Sequence, residues 1–298
     1  MYGHLRISSP WKQLLVLILV FSPQLLLLFY GVFFGNELET SKIVQDTSVD
    51  KLKWVQAMSS LVFFLLPAFL YVVFVFRGRY SYFLGFKKAD KQNMYVLAVC
   101  AVLFTFPFVF WLGDLNRMIP LPEWMTRMEE STAKQMEDYL KVRNWYDVYV
   151  NVIVIALLPA ICEELFFRGA LQRVLIHVTR NPLLGIIISA FLFSALHLQF
   201  AGFLPRMFLG IVLGILYWYS GSLWTCILAH FVFNGSQVLM VTFAPQYINV
   251  NPTPALFAAV VSLIAVSGVL YYYCRQSSVS WNKVYGIEEL NERNQYIA

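Results

Sequence analysis

The chain has few charged residues for its length. Asp, Glu, Lys and Arg make up 13% of its 298 residues, while hydrophobic residues make up 59%. A soluble domain carries about 25% charged residues. From Met207 to Cys274 none of the four charged residue types occurs. This scarcity argues against a large soluble domain and predicts an all-α integral membrane protein built from apolar spans.

Several common functional motifs are also missing. The sequence has no G-x-S-x-G nucleophile elbow, no Gly-rich phosphate loop and no H-E-x-x-H metal motif. The net charge of +5 comes mostly from loop residues, so we predict contact with membrane lipid and no nucleic-acid partner. The cysteines show no C-x-x-C spacing, and we interpret them as single buried thiols: Cys100, Cys162, Cys226 and Cys274.

Apolar stretches recur along the chain, and we predict about eight transmembrane helices. A span needs about 20 residues to cross roughly 30 Å of hydrocarbon at about 1.5 Å per residue. The run from Leu14 to Phe34 is too long for a signal-peptide core, and we expect it to be the first retained span. The predicted spans are 12–34, 54–76, 94–112, 148–169, 182–199, 203–220, 224–242 and 254–274.

The segment between the third and fourth spans has a different pattern. After Pro122, apolar residues recur at helical spacing, with charged residues on the opposite face. We therefore predict an amphipathic helix at about 122–142 that lies in the membrane interface. A gate over a functional site is an alternative role for this helix.

The basic residues predict the orientation and organisation of the chain. Placing both termini in the cytoplasm satisfies the positive-inside rule, with loop 113–147 as the exception. We predict a multi-pass protein of a bacterial inner membrane, divided into residues 1–143 (three spans and the amphipathic helix), a core at 144–242, and 243–298 (the last span and a cytoplasmic tail). The residues placed in the cytoplasm include Arg77, Lys87, Lys88, Lys91, Arg173, Arg180 and Arg275.

Two adjacent glutamates lie inside the fourth predicted span. A charged side chain at the bilayer centre costs about 2.5–3.5 kcal/mol on insertion scales. We therefore infer that Glu163 and Glu164 serve in binding or chemistry. Residues four apart share a helix face, which allows Glu164 to pair with Arg168. Glu163 is rotated by about 100° and needs another role; a buried ion network that only fixes packing is the alternative.

Three more polar residues lie in or at the end of apolar spans. His230 and Asn234 are four apart and share a helix face that must point inward to find partners. His197 lies near the end of the fifth predicted span. Together with Glu163, this set could activate a water molecule and stabilise an oxyanion. Two histidines and a glutamate could equally bind zinc, with water in the fourth position.

These residues form three motifs that resemble the signature motifs of the CAAX-protease and bacteriocin-processing (CPBP, or Abi) family, which includes the Ras-converting CAAX endopeptidases. The resemblance covers about residues 145–242 and implies an intramembrane endopeptidase with an eight-helix fold. Residues 1–142 show no motif of this family. The motifs are Glu163-Glu164-x-x-x-Arg168, Phe193-x-x-x-His197 and His230-x-x-x-Asn234.

By position, the resemblance implies that Glu163 and His197 activate the hydrolytic water and that His230 and Asn234 form the oxyanion hole. Glu164 and Arg168 would then support these catalytic groups. The expected substrate is a membrane-associated protein or peptide, which includes lipid-anchored ones, and no cofactor is expected. Three alternatives stay open: a protease with Zn²⁺ on Glu163, His197 and His230, a noncatalytic scaffold or immunity protein, and a proton-coupled transporter that uses the glutamate pair.

A shared site requires the polar groups to meet at one depth. The predicted spans put Glu163 about 9 Å and His197 about 22 Å from the cytoplasmic ends of their helices, at about 1.5 Å per residue. Convergence then needs tilted helices, or a fifth helix that begins after residue 182. We favour the later start, with residues 170–182 as an interfacial stretch.

Overall fold

Most of the described residues are helical. The computed structural model describes residues 5–34, 48–78, 80–140, 142, 144–244 and 254–278. The predicted cytoplasmic tail beyond residue 278, and most of the predicted outer loop 243–253, lie outside these residues. The helices are α1 (Pro10–Phe34), α2 (Val49–Val75), α3 (Tyr80–Leu84), α4 (Asn93–Arg117), α5 (Glu123–Leu140), α6 (Trp145–Thr179), α7 (Pro182–Ala195), α8 (Phe203–Ser220), α9 (Leu223–Phe243) and α10 (Leu256–Gln276).

Seven helices in the described part of the chain are long and apolar enough to cross a membrane: α1, α2, α4, α6, α8, α9 and α10. The all-α, multi-pass membrane fold is therefore confirmed. The predicted count of about eight is reached only when α7 is included. This helix has 14 residues and spans about 21 Å at about 1.5 Å per residue, less than the roughly 30 Å of a hydrocarbon core.

The early end of α7 has a structural consequence. The chain continues as an irregular turn and a short 3₁₀ helix, Phe200–Gly202, before α8 begins. Non-helical backbone at membrane depth is tolerated only where it is buried in protein or lines a cavity, because its polar groups need partners. The turn after Ala195 therefore has to be enclosed by other parts of the chain, and it carries His197.

Helix α6 is much longer than its predicted span. It continues unbroken to Thr179, and α7 begins directly at Pro182 after the left-handed Arg180 (φ 52°). The favoured expectation of an interfacial stretch at 170–182, with a later start of the fifth helix, is therefore wrong. The reason is tight packing of the α6–α7 hairpin, since a Cβ atom at Gly185 would lie 2.8 Å from the Ile176 backbone nitrogen.

Three stretches of α2 and α6 have the wider π-helical turn. Leu61–Leu65 and Val152–Leu157 each precede a proline, Pro67 or Pro159. A proline has no N–H for the preceding turn, and its ring collides with the carbonyl of residue i−4, so a widened turn relieves the clash. The third stretch, Leu165–Gln172, directly follows the glutamate pair.

Aromatic contacts join the N-terminal helices to the predicted core. The Phe166 ring of α6 lies 4.6 Å from the Phe21 ring of α1, centroid to centroid. On the other side, the Phe106 ring of α4 stacks on the Phe233 ring of α9 at 4.8 Å. These contacts pack residues from before position 143 against α6 and α9; the division of the sequence into three segments stays a prediction.

Helix α5 coincides with the predicted amphipathic helix at 122–142. The Trp124 ring near its start lies 5.7 Å from the Phe200 ring, edge to face. At its other end, the buried Leu140 packs with Ala156 of α6 and Val238 of α9. The helix thus runs from the turn after α7 to the α6–α9 contact. Its position in a membrane interface stays a prediction.

Candidate active site

Helix α6 carries the glutamate pair into the centre of the protein. Glu164 and Arg168 are 0% and 1% exposed, and Glu163 is 8% exposed. Residues so deeply buried need partners, because an isolated ionised group away from water is strongly unfavourable. Helices α8 and α9 and the turn after α7 supply partners for these three side chains.

Glu164 is the centre of a buried ion network. Its Oε1 accepts hydrogen bonds from Arg168 Nη1 at 2.8 Å and from His230 Nδ1 at 2.8 Å. Arg168 Nη2 donates to the Gly210 carbonyl of α8 at 3.1 Å. The carboxylate of Glu164 is thus held by one partner on its own helix, four residues away, and by another on α9. Both contacts bring a nitrogen of a basic side chain to the same carboxylate oxygen.

Glu163 faces the two histidines. Its Oε2 lies 3.8 Å from His197 Nε2 and 3.8 Å from His230 Nε2. These separations are too long for direct hydrogen bonds, but a water molecule making hydrogen bonds of about 2.6–3.2 Å could bridge either pair of atoms. The structure therefore brings Glu163, His197 and His230 together, although their helices were predicted to reach different depths.

The orientation of His197 is defined by its own helix end. Its Nδ1 lies 2.6 Å from the Phe193 carbonyl oxygen. Because a carbonyl oxygen only accepts, Nδ1 carries the proton, and in the neutral ring the lone pair of Nε2 points towards Glu163. The next residue, Leu198, has φ 54° in the left-handed region, an outlier for a bulky side chain of the kind that clusters at functional sites.

Asn234 lies one turn beyond His230 on α9 and is half-buried. Its amide forms no hydrogen bond within the part of the chain that is described, so it is available to a bound group. Unlike His197 and His230, which lie 3.8 Å from Glu163 Oε2, Asn234 forms no hydrogen bond to Glu163. Its place in the site follows from its helix face alone.

Gln172, the next residue on the Glu164–Arg168 face, was not predicted to belong to the site. It is 0% exposed, and its Nε2 donates to the Gly214 carbonyl at 3.0 Å. The Gly210 carbonyl therefore accepts from the guanidinium of Arg168, and the Gly214 carbonyl accepts from the amide of Gln172. The signal in the sequence was a shared spacing of four residues, between Arg168 and Gln172 on α6 and between Gly210 and Gly214 on α8. A G-x-x-x-G segment exposes its backbone carbonyls to a closely packed neighbouring helix.

The turn after α7 is held by side chains from three other places. Asn116 of α4 donates to the Phe200 carbonyl and accepts from the Leu204 N–H, both at 2.7 Å. Glu129 of α5 accepts from the Ala201 N–H at 3.0 Å. Arg206 of α8 donates to the Gln199 carbonyl at 3.2 Å. These bonds satisfy irregular backbone beside His197, and no motif identified Asn116, Glu129 or Arg206.

The zinc alternative can be tested against this geometry. Glu163, His197 and His230 are the three possible ligands, but no group of His, Cys, Asp or Glu in the described ranges stands ready to hold a metal ion. A tetrahedral zinc site with bonds of about 2.1 Å places ligand atoms about 3.4 Å apart. The observed separations of 3.8 Å are longer, so these side chains would have to close in to bind zinc.

A comparison with protein families supports the resemblance. The family model described as type II CAAX prenyl endopeptidase Rce1-like matches residues 145–236, which contain all three motifs. The resemblance to the CAAX-protease family is thereby confirmed for this segment and favours a protease with a peptide substrate in a membrane environment. No curated protein and no solved structure matches the chain.

Proposed function

We propose that the protein is an intramembrane endopeptidase that hydrolyses a peptide bond of a membrane-associated protein or peptide. The observation that carries this proposal is the position of Glu163 Oε2, 3.8 Å from Nε2 of both His197 and His230. A carboxylate and an imidazole at this separation can share one water molecule and remove its proton.

The reaction needs one water and no covalent enzyme intermediate. Glu163 and His197 take a proton from the water as its oxygen attacks the scissile carbonyl carbon. The new C–O bond forms while the carbonyl oxygen becomes an oxyanion. When the C–N bond breaks, the same pair returns the proton to the leaving amine, so that a carboxylate and an amine result.

Asn234 and His230 would receive the oxyanion. An amide N–H donates without any change of protonation. His230 differs, because its Nδ1 proton is engaged by Glu164 at 2.8 Å. Its Nε2 can therefore donate only in the doubly protonated imidazolium, with Glu164 as the counter-ion. In this scheme the buried network around Glu164 has a chemical purpose besides packing.

The substrate class and the location are also part of the proposal. The matched family model is described as a type II CAAX prenyl endopeptidase, and a lipid anchor would place a substrate in the bilayer beside the helices. We propose that the protein lies in a bacterial inner membrane. We place both termini in the cytoplasm, because this orientation puts most basic loops on the cytoplasmic side.

The test is cleavage by the purified protein in detergent. A fluorescence-quenched peptide library is incubated with the protein, and mass spectrometry locates the broken bond. We expect internal peptide-bond hydrolysis. A complete lack of cleavage of both this library and a lipidated version would contradict the proposal and favour a scaffold or transporter.

Asn234→Ala is expected to lower turnover by about 10²–10³-fold and to leave the fold intact, because one oxyanion donor has that effect. The measurement is kcat with the best library peptide, together with the melting temperature. Asn234→Asp is the matched control: it keeps the size but places a carboxylate beside the oxyanion, so it should be no faster than Asn234→Ala. Parental turnover in Asn234→Ala would contradict the oxyanion role.

Activity is expected to survive thorough chelation, because the proposed reaction uses only Glu163 and His197 to activate water. The measurement is kcat after dialysis against a strong zinc chelator, with a known zinc protease treated in parallel as a control for chelation. Activity lost in the chelator and restored by stoichiometric zinc would show instead that Glu163, His197 and His230 are metal ligands.

A further inference from the structure

Arg206 is a second guanidinium beside the site, in addition to Arg168. It lies in the first turns of α8 and is half-buried. Its Nη1 and Nη2 donate to the carbonyl and side-chain oxygens of Gln199, two residues after His197. The guanidinium is therefore fixed against the turn that carries His197, with hydrogen atoms left over for a further acceptor.

Arg168 has a carboxylate in direct contact with its guanidinium, whereas Arg206 does not. Arg168 contacts the Glu164 carboxylate at 2.8 Å. No carboxylate oxygen in the described residues lies within 4.0 Å of Arg206. Glu163 and Glu129 act on its charge only from a longer distance. A cation in a membrane protein is unfavourable without an anionic partner. We therefore expect Arg206 to bind an anionic group of a ligand.

A carboxylate is the natural partner for a fixed guanidinium, because the planar fork of Arg donates two parallel hydrogen bonds to it. Peptides offer this group in two ways, at the free C-terminus and on Asp or Glu side chains. We propose that Arg206 binds a carboxylate of the substrate, near the bond that is cleaved, and thereby determines which peptides are accepted. This inference rests on the proposed peptidase function.

The location of Arg206 limits where this carboxylate lies. Gln199, which accepts hydrogen bonds from the guanidinium, is two residues after His197. An extended peptide advances by about 3.3–3.6 Å per residue. The recognised carboxylate is thus a few residues from the scissile bond. This distance matches a short C-terminal segment or a nearby acidic side chain, and it excludes a charge far along the substrate.

The experiment compares three quenched peptide pools. The first lacks Asp and Glu and ends in a free carboxylate; the second is the same pool amidated at the C-terminus; the third is amidated and contains one Glu. The value of kcat/KM is measured for the parent, Arg206→Gln and Arg206→Lys. Arg127→Gln is the matched control, because it removes an exposed arginine, 50% accessible, from α5.

The parent should cleave the first or third pool about tenfold to hundredfold faster than the second, as hydrogen bonds to a charged group imply. Whichever pool is preferred identifies the source of the carboxylate. Arg206→Gln should bring the ratio close to one, Arg206→Lys should restore part of it, and Arg127→Gln should keep it. A purely structural role for Arg206 would slow all three pools equally and leave the ratio unchanged.

Two results would overturn the inference: equal rates of the parent on all pools, or an undiminished preference in Arg206→Gln. A binding measurement separates it from the proposed function. If the parent cleaves nothing, fluorescence polarisation with labelled pools still compares acid and amide. Tighter binding of the acid that is lost in Arg206→Gln would support the carboxylate site while the peptidase proposal fails, and equal binding would reject both.

Discussion

Glu163→Gln is expected to lower peptide cleavage by about 10²–10⁴-fold, the range for loss of a general base. Glutamine keeps the size and polarity of the side chain but cannot take a proton from water. The fold should be kept, since Glu163 forms no direct hydrogen bond to other described residues. The measurement is kcat with the best library peptide, together with the melting temperature of both proteins.

The matched control for this change is Glu130→Gln on α5, an exposed glutamate outside the site. It should cleave like the parent, which excludes a general effect of the lost negative charge. Full activity of Glu163→Gln would remove Glu163 from the mechanism. If Glu163→Gln cleaves at the parental rate while His197→Gln loses activity, His197 alone is the general base.

Arg168→Met is expected to destabilise the fold by about 3–5 kcal/mol, because it leaves the Glu164 carboxylate buried without its cation. Glu164 is 0% exposed, so water cannot take the place of the guanidinium. The change should also abolish cleavage through the lost alignment of His230. The measurement is the free energy of unfolding from a denaturant titration in detergent.

The chain offers a matched control for this pair. Arg127 and Glu123 on α5 are also four apart, with a separation of 2.9 Å against 2.8 Å, but they are 50% and 86% exposed. Arg127→Met should cost less than about 0.5 kcal/mol, because exposed ion pairs contribute little. A similar loss of stability in both variants would contradict the importance of burial.

The double variant Glu164→Leu with Arg168→Met separates packing from chemistry. Replacing a buried ion pair by apolar residues of similar volume is often neutral for stability. We expect the free energy of unfolding to recover, while cleavage stays lost because His230 has no carboxylate at Nδ1. Recovery of cleavage would show that the ion network only fixes helix packing, the alternative that the sequence left open.

Local spacing predicted the parts of the site that lie on one helix. Glu164 and Arg168 are four apart, and the expected pair is observed at 2.8 Å. The same periodicity puts His230 and Asn234 on one face of α9. These statements hold for any α-helix, whatever surrounds it, because 3.6 residues per turn are a property of the backbone. They carried the resemblance to the family as well.

Depth could not be read from the sequence in the same way. Helix ends were estimated from where apolar runs meet basic residues, which made α6 too short at residue 169 and α7 too long at residue 199. In the fold, α7 packs against the end of α6, where Gly185 lies against Ile176. Another helix can provide contacts for such a segment as well as a membrane interface can, and the amino-acid composition does not distinguish the two environments.

Composition and helical period therefore determined that the chain is an all-α membrane protein and which of its polar residues share a face. The contacts between remote segments came from the tertiary packing: His230 on Glu164, 66 residues apart, and Asn116 on Phe200, 84 residues apart. The sequence contains no periodic signal for such pairs. They arise because helices of fixed length must bury their polar groups against one another, and the arrangement that satisfies all of them is a property of the whole fold.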